Sequence, residues 1–195
     1  MDTKSYEVKI KALKTAPEMF CNLIALRNGR KIASFFKEAE SDFESVFLPD
    51  CRYPLVELYG PDKCADMTVV PDNLRILPTR TSLEAAFSYL QKLRSVDISQ
   101  FDTSRINNFN DMFYQCDNLQ EINGVLDMSG IAGTSYRMNV YNMFYGCDKL
   151  QSVKMKNLPD DFFEKKTYQV LHGSTEYKTG PECMSIDPNK IIIVE

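Results

Sequence analysis

Hydrophobic and polar residues recur in a fixed order in the second half of the chain. Residues 112–120 read Met-Phe-Tyr-Gln-Cys-Asp-Asn-Leu-Gln, and residues 143–151 repeat them with seven of nine positions identical. A weaker copy covers residues 86–93. The phenylalanines of the three copies, Phe87, Phe113 and Phe144, are separated by 26 and 31 residues. A period in this range is typical of proteins built from stacked repeats.

A strand-like alternation of apolar and polar residues follows the first and last copies. Val96 and Ile98 are the apolar positions of the first strand, and Val153 and Met155 are those of the last. Because strand side chains alternate between two faces, the polar residues are expected on the opposite face from these apolar ones. Stacked repeats commonly bind partners on their strand-bearing surface. We therefore predict a partner-binding surface made of Ser95, Asp97, Ser99, Glu121, Asn123, Ser152, Lys154 and Lys156.

The middle repeat allows two registers. In one of them, Leu119 and Ile122 occupy the apolar positions of the strand pattern. In the other, the strand comes later, because residues 126–129 (Leu-Asp-Met-Ser) match residues 96–99 (Val-Asp-Ile-Ser) more closely. The additional residues are expected to form a loop at Asn123-Gly124, at 130–133, or at both.

Outside the repeats the pattern predicts further strands and helices. Strands are predicted at 6–13, 53–59, 95–99 and 191–194, and helices at 16–26, 31–47, 83–93 and 160–171. Residues 1–80 are interpreted as an N-terminal α/β domain or cap. Residues 81–195 are interpreted as the repeat stack with a C-terminal cap, the repeats themselves covering about 82–158.

Four segments of the repeat region carry a family resemblance. They are residues 99–106 (Ser-Gln-Phe-Asp-Thr-Ser-Arg-Ile), 111–116 (Asp-Met-Phe-Tyr-Gln-Cys), 126–129 (Leu-Asp-Met-Ser) and 142–147 (Asn-Met-Phe-Tyr-Gly-Cys). In these segments the chain resembles the BspA-like leucine-rich repeat family, found in bacterial surface proteins and in short proteins of phages and mobile elements. The resemblance implies an α/β fold, a short leucine-rich-repeat solenoid with caps at both ends. It also implies protein recognition without catalysis.

Many members of that family are secreted or lipid-anchored, and this chain departs from them. Its first residues contain no apolar leader, and Cys21 follows Glu18-Met19-Phe20, which is not a lipid-attachment motif. The sequence contains no apolar run of the length that a membrane-spanning helix needs. We therefore predict a cytoplasmic protein with no signal peptide and no membrane association, in the host cytoplasm if a phage encodes it.

The charge distribution argues against nucleic-acid binding, and the cysteine spacing argues against a metal site. Residues 1–80 carry 12 basic and 12 acidic side chains and residues 81–195 carry 11 and 15, so the net charge of −4 belongs to the second part. That balance argues against nucleic-acid binding, which needs a basic stripe. The six cysteines form no C-x-x-C pair, and the only histidine is His172. We therefore predict no metal and no cofactor. The even number of cysteines would allow three disulfides, but because no export signal accompanies them we predict free thiols.

Some residues suggest catalysis or metal binding, but each of them also has a simpler structural interpretation. Cys116 and Cys147 occupy equivalent repeat positions, where a redox or metal pair and a buried ladder are both conceivable, and we favour the ladder. The Asp102-Thr103-Ser104 stretch suggests an active site, but such residues in turns usually bind backbone groups. His172 has no evident nucleophile beside it in the sequence. We predict no catalytic residue.

Three functional hypotheses remain open. The leading one is a non-enzymatic protein-binding module whose partner is another protein, of bacterial origin. A narrower version is a phage or mobile-element inhibitor of a bacterial immune effector. The second hypothesis is a structural or adhesive module of a virion or cell surface, and the third is an enzyme with its chemistry in residues 1–80. The sequence leaves the oligomeric state open.

Overall fold

The computed structural model describes residues 46–48, 52–131, 139–164, 168–170, 173–175 and 180–195. The strands are β1 (Val46–Phe47), β2 (Leu74–Arg75), β3 (Ser95–Asp97), β4 (Glu121–Asn123), β5 (Leu126–Asp127), β6 (Val153–Lys156), β7 (Tyr168–Val170), β8 (Gly173–Thr175) and β9 (Ile191–Ile193). The α-helices are α1 (Pro54–Tyr59), α2 (Pro61–Asp66) and α3 (Gly180–Met184), and short 3-10 turns cover Ser129–Ile131 and Pro188–Lys190.

The strand predicted at 53–59 is a helix, α1. Proline is favoured in the first turn of a helix, where its missing N–H would have no intrahelical partner, and Pro54 takes that place. Leu55, Leu58 and Tyr59 are buried, a spacing that places them on one helical face. Gly60 then ends α1 with a φ of 81°, and its N–H donates to the carbonyl of Val56.

The strands of successive repeats pair in parallel. Ser95 of β3 lies opposite Glu121 of β4, and isolated bridges extend this row to Val69 on one side and Ser152 on the other. A second, three-stranded sheet has the order β5-β6-β9 and is also parallel throughout. The strands predicted at 95–99 and 191–194 are confirmed as β3 and β9, each slightly shorter than expected.

Both registers predicted for the middle repeat occur, one on each side of it. Ile122 pairs with Val96 of the preceding repeat, and Leu126 pairs with Met155 of the following one. Gly124 makes the change of direction between them, with a φ of +107°. A Cβ on this glycine would lie 2.7 Å from the backbone nitrogen of Ser99, so a larger residue does not fit.

The copies of the nine-residue motif form turns that stack on one another. The amide of Phe87 donates to the carbonyl of Met112, and the amide of Phe113 donates to that of Met143. Each turn contains two residues with positive φ, and these fall at equivalent repeat positions: Ala85 and Tyr89, Asp111 and Gln115, Asn142 and Gly146. The stacked backbones therefore satisfy one another's hydrogen bonds.

The helix predicted at 83–93 is therefore wrong. An α-helix requires negative φ at every residue, and Ala85 (51°) and Tyr89 (62°) interrupt it twice within one motif. The apolar spacing that indicated a helix is instead the spacing of residues that point into the core from a tight turn. Phe87, Phe113 and Phe144, the phenylalanines of the three copies, are all buried.

The predicted fold class, an α/β leucine-rich-repeat solenoid with caps, is also wrong. In the described part of the chain, the motif segments form turns instead of α-helices, and the strands are divided among one three-stranded and three two-stranded sheets. The helices are few and short, at 54–59, 61–66 and 180–184. The described residues form a small mixed structure with short parallel sheets, and β7-β8 is its antiparallel pair.

The core is one continuous hydrophobic cluster from Leu48 to Met184. At its centre the rings of Phe87 and Phe113 stack with centroids 5.2 Å apart, and those of Phe113 and Phe144 stack at 5.6 Å. Parallel stacking of these rings fixes the turns in register, which positions the residues on either side of each phenylalanine.

Several predicted elements lie outside the described residues. These are the strand at 6–13 and the helix at 16–26. Of the helix predicted at 31–47, only the end is described, and it is strand β1. The helix predicted at 160–171 is wrong in its described part, since Asp160 to Glu164 form turns and bends and Tyr168–Val170 is strand β7. The domain boundary at residue 80 stays a prediction.

Candidate functional site

The residues predicted to form the strand-bearing surface do lie in adjacent rows. Asp97 is opposite Asn123, and Glu121 connects Ser95 to Ser152. The remaining members are Ser99, which follows β3, and Lys154 and Lys156 of β6. Five of the eight side chains are exposed and three, those of Ser95, Ser152 and Lys156, are half-buried. Their role in binding a partner stays a prediction.

Two members of that surface have local structural partners. The carboxylate of Asp97 accepts a hydrogen bond of 2.8 Å from the backbone N–H of Ser99, and hydrogen bonds from Ser99 lower the pKa of Asp97 below its ordinary value. The Lys156 ammonium lies 3.3 Å from the carboxylate of Asp127. Substituting either residue would therefore disturb the fold as well as any contact with a partner.

A second surface is formed by aromatic residues that the sequence analysis did not single out. Tyr89, Tyr114 and Tyr145 form a tyrosine column beside the buried phenylalanine stack. The rings of Tyr114 and Tyr145 are stacked with centroids 5.1 Å apart, and Tyr89 meets Tyr114 edge-on at 5.4 Å. Tyr89 is 53% exposed and Tyr145 is 49% exposed, and Tyr141 nearby in the sequence is 54% exposed.

Position in the repeat explains this column. Tyr114 and Tyr145 each follow a core phenylalanine, so the stacking of the turns brings their rings together. In the first repeat the equivalent residue is Ser88, which is buried and donates a hydrogen bond of 3.0 Å to the carbonyl of Ala85. Tyr89 comes one residue later, at a positive-φ position, and its ring therefore meets Tyr114 at 67° instead of lying parallel.

An open cleft of about 220 Å³ adjoins the tyrosine column. Tyr89 and Tyr114 line it together with Asp111 and Asn142 from the equivalent positive-φ position of two successive repeats. Arg52 and Tyr53, which precede α1, also line it. The cleft thus joins the start of the described helical segment to the repeats.

The charges at this cleft are partly neutralised. The Arg52 guanidinium lies 3.1 Å from a carboxylate oxygen of Glu84 and 3.4 Å from one of Asp111, and it also covers the ring of Tyr53 at 5.6 Å from the centroid. Asn108 donates a hydrogen bond of 3.1 Å to the other oxygen of Glu84. Arg52 therefore faces two carboxylates, and the cluster has an excess of one negative charge.

The pKa of Tyr114 reflects the same surroundings. Desolvation by its neighbours raises the pKa of this phenol, and the nearby phenols of Tyr89 and Tyr145 and the carboxylate of Asp111 raise it further. A negative charge on the phenol is disfavoured next to these groups. Tyr114 therefore stays a neutral hydroxyl across the physiological pH range and can donate and accept hydrogen bonds.

The cysteines that the sequence suggested as a redox or metal pair have a structural role. Cys116 and Cys147 are buried, and their thiols donate to the carbonyls of Phe87 and Phe113, 3.0 Å away in both cases. Interaction with the neighbouring thiol of Cys147, together with burial, raises the pKa of the Cys116 thiol far above its ordinary value, which makes it a poor nucleophile or metal ligand. The ladder interpretation of these cysteines is confirmed. His172 lies outside the described residues.

The Asp102-Thr103-Ser104 stretch also has a structural explanation. Asp102 accepts hydrogen bonds from the backbone and the hydroxyl of Ser104, and the buried Thr103 hydroxyl bridges both backbone groups of Asp127 in the next repeat. The predicted turn role of this stretch is confirmed. Among the residues that the structure describes, no group of three or more His, Cys, Asp or Glu side chains is placed to hold a metal ion.

Only part of the tyrosine column can be predicted from the sequence. The repeated Met-Phe-Tyr motif marks Tyr114 and Tyr145 as neighbours once the turns are known to stack. The contribution of Arg52 has no such signal, since it precedes Asp111 by 59 residues and lies in a different part of the chain.

Comparisons with protein families, with curated proteins and with solved structures find no match to this chain. Within the described ranges, no helix is long and apolar enough to cross a membrane.

Proposed function

We propose that this chain is a non-enzymatic protein-binding module that presents its tyrosine column to another protein. The single observation that carries the proposal is the exposure of Tyr89, Tyr141 and Tyr145, about half in each case, beside the stacked Tyr114. Protein interfaces are enriched in tyrosine and arginine, and tyrosine supplies a large contact area at low entropic cost.

The charge beside the tyrosine column favours a protein partner over a nucleic acid. Tyr114 and Tyr145 stack on each other, so each of these two rings has one face covered by the other. Single-stranded nucleic acids are bound by a positively charged groove together with aromatic rings, whereas the cluster of Arg52, Glu84 and Asp111 beside the column has an excess of negative charge. Exposed tyrosine rings with their hydroxyl groups suit the mixed apolar and hydrogen-bonding surface of a protein.

Serine substitutions at Tyr114 and Tyr145 provide the test, because Ser88 already fills the same position in the first repeat. The tagged protein would be used to capture partners from bacterial lysate, and bound proteins would be quantified by mass spectrometry. We expect the double variant Y114S/Y145S to lose a stoichiometric partner while still unfolding in a single cooperative thermal transition, at a somewhat lower temperature because the ring contacts are lost.

A matched variant of the predicted strand-bearing surface serves as the control. Glu121→Gln and Lys154→Gln change two exposed residues of that surface. We expect this variant to keep the partner. Loss of the partner here, with retention in Y114S/Y145S, would assign binding to the strand surface and refute the tyrosine column. Capture of no partner by the parent protein would count against the binding function itself.

Narrower hypotheses rest on the sequence alone. They place the chain in the bacterial cytoplasm as a phage or mobile-element inhibitor of an immune effector. The identity of a captured partner is what tests them: an immune effector supports the inhibitor hypothesis, and a virion or envelope component supports the structural alternative instead.

A further inference from the structure

We propose that the cleft beside the tyrosine column receives a basic side chain, lysine or arginine, of the partner protein. This inference rests on the proposed function and adds the chemistry by which the partner is recognised. The cleft brings together a carboxylate, two tyrosines of the column and an amide, from Asp111, Tyr89, Tyr114 and Asn142.

The charge at the cleft favours a cation. Arg52 is the cation that lines it, and its guanidinium is already shared between the carboxylates of Glu84 at 3.1 Å and Asp111 at 3.4 Å. An anionic group would have to compete with these two carboxylates for Arg52. A cationic group would meet the carboxylate of Asp111, and the cluster of Arg52, Glu84 and Asp111 carries one more negative charge than positive.

The polar groups of the cleft also match the donors of a basic side chain. Lysine and arginine side chains only donate hydrogen bonds, and carboxylate, phenol and amide oxygens accept them. The guanidinium of Arg52 lies over the ring of Tyr53 at 5.6 Å, so one contact of the proposed kind already exists within this cleft. A second cation would find the phenols of Tyr89 and Tyr114 on the remaining side.

The size of the cleft limits the occupant. Its volume of about 220 Å³ lies below the range of about 300–1,000 Å³ that is usual for pockets holding whole small-molecule ligands. It accommodates one long side chain while the rest of the partner lies against the exposed tyrosines. The tyrosine column and the cleft would then act as a single contact surface.

The test uses blocked single amino acids as probes. N-acetyl-arginine amide would be titrated into protein carrying labelled tyrosine rings, and the ring resonances of Tyr89 and Tyr114 would be followed by NMR. N-acetyl-citrulline amide is the matched control, since it has nearly the same shape without the charge. We expect these two resonances to shift saturably with the arginine probe. With the citrulline probe the shifts should be smaller by about fivefold or more.

Two substitutions of charged residues are expected to change the affinity for the arginine probe in opposite directions. Asp111→Asn should weaken arginine binding by about fivefold, and its fold should persist because the equivalent residue of the next repeat, Asn142, has nearly the same φ, 53° against 55°. Arg52→Gln should strengthen binding by about two- to fivefold, because it leaves two carboxylates without their cation.

The outcomes separate this inference from the proposed function. Equal shifts with arginine and citrulline, tighter binding of N-acetyl-glutamate amide that needs Arg52, or weakening by Arg52→Gln would each overturn the basic-side-chain inference. None of these results would contradict the proposed function if Y114S/Y145S loses its partner. Loss of that partner in Asp111→Asn as well would support both proposals together.

Discussion

At the scale of single residues, Asp127 shows how a polar side chain connects two repeats. Its carboxylate accepts hydrogen bonds from the backbone and hydroxyl of Ser129 and from the amide of Asn157, and Lys156 lies 3.3 Å away. Burial alone would raise the pKa of Asp127. The hydrogen bonds from Asn157, Ser129 and Lys156 outweigh it and lower the pKa to about 2.

This pKa predicts how Asp127 affects stability with pH. A folded-state pKa of about 2, against 3.8 for the ordinary group, means that the carboxylate stabilises the fold above about pH 4 and ceases to do so as the pH falls towards 2. We expect Asp127→Asn to lower the free energy of unfolding by ~1–2 kcal/mol at pH 7 and by much less near pH 2. Urea unfolding at the two pH values measures this difference.

Asp66→Asn is the control for this prediction. Asp66 also has a lysine partner, with its carboxylate 2.6 Å from the ammonium of Lys92, but both side chains are largely exposed. Exposed ion pairs contribute little to stability, so this substitution should change the unfolding free energy only slightly. A similar loss at both sites would mean that the hydrogen bonds of Asp127 are not the cause.

At the scale of elements, the phenylalanine stack holds the turns together. Phe113 is fully buried between Phe87 and Phe144, with ring planes inclined by only 10° and 8°. We expect Phe113→Leu to cost ~1–2 kcal/mol and Phe113→Ala ~3–5 kcal/mol, because each removes buried volume and two aromatic contacts. Chemical denaturation measures both values.

Phe163→Leu supplies the comparison at the surface. Phe163 is 45% exposed and contacts Phe162 edge-on at 5.2 Å. Its substitution should cost much less than Phe113→Leu, since little apolar surface is lost from the core. Equal costs would show that the stack adds no stability beyond ordinary contact.

The same element shows what the sequence could predict. The repeat period identified Phe87, Phe113 and Phe144 as equivalent positions, and equivalent positions of stacked repeats share the same burial. It did not predict the backbone of these turns. Positive φ is usually indicated by glycine or asparagine, and the first turn has Ala85 and Tyr89 at these positions.

The candidate site was less predictable than the core. Alternation identified the outward residues of the strands, and their rows are present as expected from the parallel register. Exposure of the tyrosines depends instead on the direction in which a tight turn points its side chains. The pairing of Arg52 with Asp111 depends on long-range packing, for which a single sequence carries no local signal.

At the scale of the whole molecule, the last turn depends on a segment that follows it much later in the chain. The amides of Asn142 and Phe144 donate to the carbonyls of Cys183 and Met184 in α3. This helix is held in turn by Phe162, whose carbonyl accepts from the amide of Gly180 at 3.1 Å. The ring of Phe162 lies so close to Gly180 that a Cβ there would be 2.6 Å from it.

Local opening should therefore spread from this end of the molecule. Replacing the fully buried Phe162 by alanine removes the packing under α3, so the amides of Asn142 and Phe144 should lose their acceptors more often. We expect their hydrogen exchange to accelerate by about tenfold or more in Phe162→Ala, with a smaller change at Phe87. Phe163→Ala, at the exposed neighbour, should leave all three rates nearly unchanged. An equal acceleration at Phe87 and Phe144 would instead mean that the described repeats open as a single cooperative unit, because the loss of α3 packing would then be felt equally at the turn furthest from it.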